Sequence, residues 1–77
     1  MIHTMRATYD AEADAVYIRL VEIGTGEAKS SSTLNRDMDT GSVVADFNAD
    51  GQLIGIEILG ARKYLPQEFL DRAERIG

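Results

Sequence analysis

The sequence predicts an α+β fold, in which a small antiparallel sheet of four to five strands built from hairpins precedes one C-terminal helix. In residues 43–59, two apolar runs with period-two alternation flank a polar segment that ends in Asp50-Gly51, which indicates a β-hairpin. After Pro66 the apolar residues recur at helical spacing. Because 77 residues suit one small domain, we expect a single domain over residues 1–77. Its parts are a frayed end at 1–4, the sheet at 5–59 and the helix at 66–76.

The first hairpin is predicted from two runs near the start of the chain. Residues 5–9 and 15–22 both alternate with the period of a half-buried strand. In the second run, Tyr17 and Arg19 fall on the face opposite Val16. Asp10 begins the five-residue loop between the runs, and its carboxylate can cap a single turn through the following amides.

Residues 27–42 give a weaker signal. The run 27–34 holds three serines and alternates little, which is typical of either a polar edge strand or an irregular crossing. Residues 36–41 have the composition of a loop. Both alternatives for 27–34 stay open.

The central hairpin has a register that its apolar pattern selects. A four-residue loop at 48–51 would gather the apolar side chains on one face, with these facing pairs: Phe47 and Gln52, Ala45 and Ile54, Val43 and Ile56. A three-residue loop would pair Asp46 with Ile54 and put a carboxylate among isoleucines. We therefore predict the four-residue loop, with Gly51 in the left-handed conformation.

The C-terminal helix is predicted from an apolar stripe formed by Phe69, Leu70, Ala73 and Ile76. Pro66 suits the first helical position. A helix of about eleven residues is marginal alone, so the stripe must dock on its own sheet or on a neighbour's. Phe69 and Ile76 are therefore candidate interaction residues, beside Tyr17 and Arg19 of the first hairpin.

The charge distribution bears on partners. Residues 1–59 hold ten acids and four bases, a balance of −6, and residues 60–77 hold three acids and four bases, a balance of +1. An acidic body disfavours nucleic acid and accommodates a basic protein. Cysteine is absent, so neither disulfides nor thiolate-bound metal can stabilise so short a chain, and we expect a homo-oligomer.

The sequence also bears on location. No run approaches the roughly 20 apolar residues of a membrane span, and the start of the chain lacks the apolar core of a secretory signal. We expect a soluble, cytoplasmic protein without a membrane partner.

One string matches the EF-hand calcium template: Asp46, Asn48, Asp50, Gly51 and Glu57 occupy its positions 1, 3, 5, 6 and 12. That template needs a helix on each side, and both flanks here are strand-like. We interpret these residues as turn formers and strand carboxylates, and we expect no metal or cofactor. The spacing Asp10, Glu12, Asp14 lacks the glycine and has the same interpretation.

Catalytic residues are not identified. His3 lies in the segment expected to fray and has no orienting partner, and the serines have no activating neighbour in sequence.

Two blocks carry a family resemblance: residues 9–20, with Tyr9-Asp10, Glu12-Ala13-Asp14-Ala15, Tyr17-Ile18 and Leu20, and residues 46–61, with Asp46-Phe47, Asp50-Gly51, Leu53 to Leu59 and Ala61. Over roughly residues 5–65 the chain resembles a small prokaryotic family known as domain of unknown function 2283. The resemblance implies a compact, mostly antiparallel fold without established activity. Because some members sit beside genes for small toxin-like RNases, it also implies an antitoxin-like role with a basic toxin-like RNase as partner.

Two functions follow. The first is a non-catalytic protein-interaction module that self-associates, using edge strands that can take up another strand. The alternative is a small ligand- or metal-binding domain, or an enzyme, with a site shared between subunits. Its pocket would lie between sheet and helix and use Asp46, Glu57, Arg19 or Tyr17, since so short a chain rarely encloses a pocket alone.

Overall fold

A computed structural model describes residues 5–24, 26–34 and 41–76, and within these ranges six strands and two short helices form the fold. The strands are β1 (Arg6–Asp10), β2 (Ala15–Arg19), β3 (Ser30–Thr33), β4 (Ser42–Phe47), β5 (Leu53–Leu59) and β6 (Glu74–Arg75). The helices are α1 (Ala61–Tyr64) and α2 (Gln67–Arg72). The segment expected to fray, His3 within it, and most of the loop at 36–41 lie outside the described residues.

The described strands form one mixed sheet in the order β3-β4-β5-β2-β1-β6. All neighbours are antiparallel except β1 and β6, which are parallel. The prediction of a sheet with terminal helical structure is confirmed in outline. The finer prediction of four to five antiparallel strands and one helix is matched only roughly, because the described sheet has six strands with one parallel pair and is followed by two short helices.

The difference arises mainly at the C-terminus. The helix predicted over 66–76 is replaced by α2, which stops at Arg72 because Ala73 is extended, with φ −72° and ψ 148°. The chain then runs beside β1, where the amide of Ile76 donates to the carbonyl of Tyr9 at 2.9 Å. Residues 61–64, which lie between the predicted sheet and the predicted helix, form α1.

The first hairpin follows the prediction with shifted ends. Strand β1 starts at Arg6 and β2 stops at Arg19, so the loop between Asp10 and Ala15 has four residues and not five. The Asp10 carboxylate accepts hydrogen bonds from the amides of Glu12 and Ala13 at 3.0 and 3.2 Å. The predicted capping of this turn is confirmed.

Strand β3 resolves the ambiguity in residues 27–34. It pairs with β4, Ser30 facing Phe47 and Thr33 facing Val44, and all four of its residues are exposed. The polar edge strand is therefore the correct alternative.

The predicted four-residue loop of the central hairpin is wrong. The Asn48 amide donates to the Gln52 carbonyl at 3.0 Å, and the Gly51 amide donates to the Asn48 carbonyl at 3.0 Å. The loop therefore has three residues, and Gly51 takes the left-handed conformation with φ 77°, which is the common form of such a loop.

A β-bulge restores the apolar pattern beyond this loop. Phe47 faces Leu53 and Asp46 faces Gly55, so Ile54 is an extra residue on β5. From Gly55 onward the ladder lies two residues from the predicted one, and this even shift leaves the side chains of residues 55–59 on their predicted faces. The Asp46 carboxylate thus meets a glycine, which removes the objection to a three-residue loop.

The core lies between one face of the sheet and the helices. Its buried residues are Tyr9, Val16, Ile58, Ala61 and Leu70, and partly buried side chains such as Val43, Ile56 and Phe69 pack against it. The terminal helices therefore dock on their own sheet. Neither helix among the described residues has the length and apolar character needed to cross a membrane.

Asp14 joins the first hairpin to the helices. Its backbone is left-handed, with φ 53°, and its carbonyl accepts hydrogen bonds from the amides of Gly60 and Ala61 at 3.0 and 2.9 Å. Its carboxylate accepts hydrogen bonds from the Tyr9 hydroxyl at 3.2 Å and the Arg62 amide at 3.0 Å. The side chain of Asp14 therefore caps α1, because the N-cap residue Gly60 has no side chain to do so.

Candidate functional site

The face of the sheet that points away from the helices carries a row of polar residues across five strands. Each residue of the row faces the next, from β1 to β3: Arg6, Arg19, Gly55, Asp46 and Ser31. Their neighbours along the strands, such as Ile18 and Ile56, pack on the core. Because side chains alternate along a strand, the row belongs to the opposite face. We call it the polar row.

Tyr17 connects the two halves of the polar row. It faces Glu57 in the adjacent row, yet its ring lies over Gly55, where an added Cβ would be 2.7 Å from the Tyr17 Cζ. The Tyr17 hydroxyl donates to Asp46 Oδ2 at 2.8 Å. Gly55 is therefore a position where only glycine leaves space for the bridging ring.

Asp46 links three strands. While Oδ2 accepts the Tyr17 hydroxyl, Oδ1 accepts the Ser31 hydroxyl at 2.6 Å. Hydrogen bonds to an ionised carboxylate are shorter and stronger than those between neutral groups. The edge strand β3 is thus tied through β4 to the interior strand β2.

Arg19 stacks on the other side of this connection. Its guanidinium lies 5.0 Å from the Tyr17 ring centroid, within the range of a cation–π contact. It also donates a long hydrogen bond of 3.5 Å to the hydroxyl of the buried Thr8. The two interaction residues predicted on this hairpin, Tyr17 and Arg19, therefore touch each other on the polar face.

The electrostatics around Tyr17 and Asp46 suit a structural role better than a catalytic one. Burial, and then the hydrogen bond to Asp46, raise the pKa of Tyr17 to about 12, so the phenol stays protonated near neutral pH. The carboxylate of Asp46 is occupied by donors from Tyr17 and Ser31. The arrangement positions strands, and neither group is poised as a nucleophile or a general base.

The calcium candidates are separated by the hairpin. Asp46 faces Gly55, Glu57 faces Tyr17 and Val44, and the Asn48 side chain accepts the amides of Asp50 and Gln52 at 3.0 Å each. The flanking elements are β4 and β5 and not helices. Across residues 5–24, 26–34 and 41–76, acidic and histidine side chains form no group of three or more that could hold a metal ion.

The pocket imagined between sheet and helix does not use the four residues predicted for it. Asp46, Glu57, Arg19 and Tyr17 all lie on the face away from the helices. A surface recess exists instead at the tip of the central hairpin, lined by Gly26, Glu27, Lys29, Asn48, Ala49 and Asp50. All of these except the half-buried Asn48 are exposed.

The remaining predicted interaction residues, Phe69 and Ile76, belong to the C-terminal segment. Phe69 is half-buried and packs on the core of its own chain. Ile76 is 58% exposed beside β6.

The edges of the described sheet differ in character. Strand β3 is entirely exposed and its sequence, Ser-Ser-Ser-Thr, carries no charge. At the other edge, Arg6 forms an ion pair with Glu74 of β6 at 2.6 Å, which raises the pKa of Arg6, and Arg75 lies 5.4 Å from the Tyr9 ring centroid. Charged side chains on an edge discourage pairing with another chain, and of the two edges of the described sheet only β3 lacks them.

Sequence reasoning missed two residues of the site. Gly55 interrupts an alternating apolar run, and such a glycine often marks a bulge or a close approach. Ser31 lies in a run without clear alternation, and no pattern distinguishes it from its neighbours Ser30 and Ser32.

Comparison with known proteins identified one family. Residues 6–62 match the family model described as "Protein of unknown function (DUF2283)". No curated protein and no solved structure matches the chain.

Proposed function

The chain belongs to the DUF2283 family, as its two sequence blocks predicted, and from this premise we propose that it is a non-catalytic protein-interaction module that self-associates. The observation that carries the proposal is the open edge at β3, four exposed and uncharged residues held in place by the contact of Ser31 with Asp46. An exposed strand edge presents unpaired amides and carbonyls to a partner strand.

The bracing of β3 supports this role. A short edge strand that was free to fray would lose conformational entropy on binding, and that loss weakens association. The chain from Tyr17 through Asp46 to Ser31 holds β3 in its strand conformation beforehand. The polar row therefore acts through the edge strand, as a support for the binding surface.

The size of the chain also supports self-association. A domain of this length buries only about 60% of the surface that its unfolded chain exposes. Some apolar side chains remain exposed, among them Leu34 at 55% and Leu53 of β5 at 40%. Association offers further burial to such a chain.

The acidic body bears on a second partner. The balance of −6 over residues 1–59 would attract a basic protein, and the antitoxin-like pairing with a basic toxin-like RNase belongs to this proposal. The proposal places the module in the cytoplasm, as suits an acidic chain without cysteine. Co-expression with the product of the adjacent gene tests for that partner.

The direct test of self-association uses Thr33. The Leu34 amide donates to the Val43 carbonyl of β4 at 2.6 Å, so by the alternation of an antiparallel ladder the Thr33 amide points away from β4. Thr33→Pro removes this outward donor and leaves the ladder with β4 intact, and edge strands tolerate proline. Thr33→Val keeps the amide and is the matched control.

Size-exclusion chromatography with light scattering measures the result. At high micromolar concentration we expect the unmodified protein and Thr33→Val to exceed the protomer mass of 8.4 kDa at least twofold, and Thr33→Pro to elute as a monomer. Circular dichroism checks that each variant is folded. If the unmodified protein is a monomer, the proposal is wrong. If the Thr33→Pro variant is as large as the unmodified protein, the copies do not associate through β3.

A further inference from the structure

The geometry points to a second copy of this chain at the β3 edge, paired antiparallel so that Ser32 faces its own counterpart and the two sheets become continuous. This inference rests on the proposed self-association and goes further by naming the occupant, the register and the side chains in contact.

The register follows from which backbone groups point outward. Since the Leu34 amide bonds to β4, the backbone groups of Ser30 and Ser32 also point inward, and those of Ser31 and Thr33 point to the open edge. Outward groups of one copy must meet outward groups of the other. The arrangement that uses both residues of both copies places Ser31 opposite Thr33 of the second copy.

This register also brings exposed apolar side chains together. Leu34 pairs with Val43 and so lies on the helix-bearing face, as does Phe47, which faces Ser30. With Ser32 on the two-fold axis, Leu34 lies opposite Ser30 of the second copy. Because Ser30 is small, Leu34 can reach over it to Phe47 on the next strand, about 4.8 Å farther.

Symmetry repeats this contact. Leu34 of each copy contacts Phe47 of the other copy, so the same contact occurs twice, as an isologous two-fold interface requires. Leu34 is 55% exposed in the single chain, so the contact would remove apolar surface from water on both sides of the axis.

The charges of the chain are compatible with this interface. Each copy carries a net charge of −5, so two copies repel each other over most of their surfaces. Strand β3 contains no charged residue, and pairing through it opposes no like charges across the strands. Two acidic copies therefore repel each other least when they associate through this uncharged edge.

A cysteine scan tests the register, because the chain has no cysteine of its own. In the proposed pairing the two Ser32 residues form a non-hydrogen-bonded pair with Cα atoms about 4.5 Å apart, which lies within the range of a disulfide. The two Ser30 residues would be offset by four positions, about 13 Å along the strand. Ser32→Cys should therefore cross-link under mild oxidation, and Ser30→Cys, on the same strand and face, should not.

Non-reducing electrophoresis of the full chain measures the cross-linked fraction, and we expect at least a tenfold difference between Ser32→Cys and Ser30→Cys. Leu34→Ser should lower the dimer fraction of the cysteine-free protein in light scattering. The register is wrong if both cysteine variants cross-link equally or neither does. The self-association still stands in that case, provided that the unmodified protein is a dimer and the Thr33→Pro variant a monomer in light scattering. If the unmodified protein is a monomer, both fail.

Discussion

Replacing Gly55 by alanine should show whether the Tyr17 bridge holds the polar row together. A Cβ at position 55 would lie 2.7 Å from the Tyr17 Cζ and closer still to its hydroxyl oxygen, against a normal separation of about 3.5–4.0 Å. The nearby atoms belong to a side chain that can move, so we expect the ring of Tyr17 to swing away from Asp46.

The cost follows from the contacts that the swing breaks. A hydrogen bond to a charged group contributes about 1.5–3 kcal/mol, and we take about 1–2 kcal/mol here because the site is half-exposed. The stacking of Arg19 on Tyr17 adds about 0.5–1 kcal/mol at an exposed site. Removing a glycine from a strand returns about 0.5–1 kcal/mol. The net loss in the free energy of unfolding should be about 1–2 kcal/mol.

Urea denaturation followed by circular dichroism measures this loss, and the background Tyr17→Ala supplies the control. Without the Tyr17 ring the new methyl group has no steric clash. Gly55→Ala should therefore leave the free energy of unfolding unchanged in that background or raise it by about 0.5–1 kcal/mol. An equal loss in both backgrounds would show that the space at Gly55 serves some other neighbour and would refute the bridging role.

Two further predictions concern Asp14 and the ionisation of Tyr17. Asp14→Ala should lower the free energy of unfolding by about 2–3 kcal/mol for two reasons. Alanine is unfavourable in the left-handed conformation of this position, and the carboxylate that caps α1 is lost. Asp14→Gly should lose about 1 kcal/mol less, and Asp14→Asn should lose least. For Tyr17, the unfolded pKa is about 10 and the folded pKa about 12. Its contribution is therefore complete below about pH 10 and is lost as pH rises through about 12, by about 1 kcal/mol after allowing for solvent exposure.

Denaturation curves check both predictions. Equal losses for the alanine and glycine variants of Asp14 would contradict the role given to its backbone conformation. For the second prediction, Tyr17→Phe is the matched control, and the difference between the unmodified protein and this variant should shrink from pH 9 to about pH 12. A difference independent of pH would mean that the phenol is not more strongly protonated in the folded state.

Local periodicity accounts for what the sequence could predict of the fold. Alternation around Val16 and Ile56 reports which face is buried, and both residues lie on the predicted side. The hairpin register was missed because the bulge at Ile54 depends on backbone bonds of the loop and on the ring of Tyr17, which comes from a distant strand. Gly55 is a local sign of a bulge or a close approach, but no local pattern identifies the ring that approaches it.

The C-terminus shows the same limit. Ala73 and Ile76 recur at helical spacing, yet Ile76 binds the backbone of Tyr9 at the far end of the chain. A two-residue strand such as Glu74–Arg75 is defined by its neighbour more than by its own composition. In the candidate site, likewise, Tyr17, Arg19, Asp46 and Glu57 could be singled out one by one, but their grouping depends on the order of strands in the sheet.

If copies associate through the sheet as proposed, the charged edge that carries the ion pair between Arg6 and Glu74 limits the size of the assembly. In the proposed pairing each copy uses its β3 edge, so a pair of copies has no second β3 edge to offer and growth ends at two copies. Were β1 equally accessible, each added copy would present a fresh end, and the same backbone chemistry would build an unlimited fibre. In the proposed assembly the short, charged C-terminal strand would therefore prevent growth beyond a dimer.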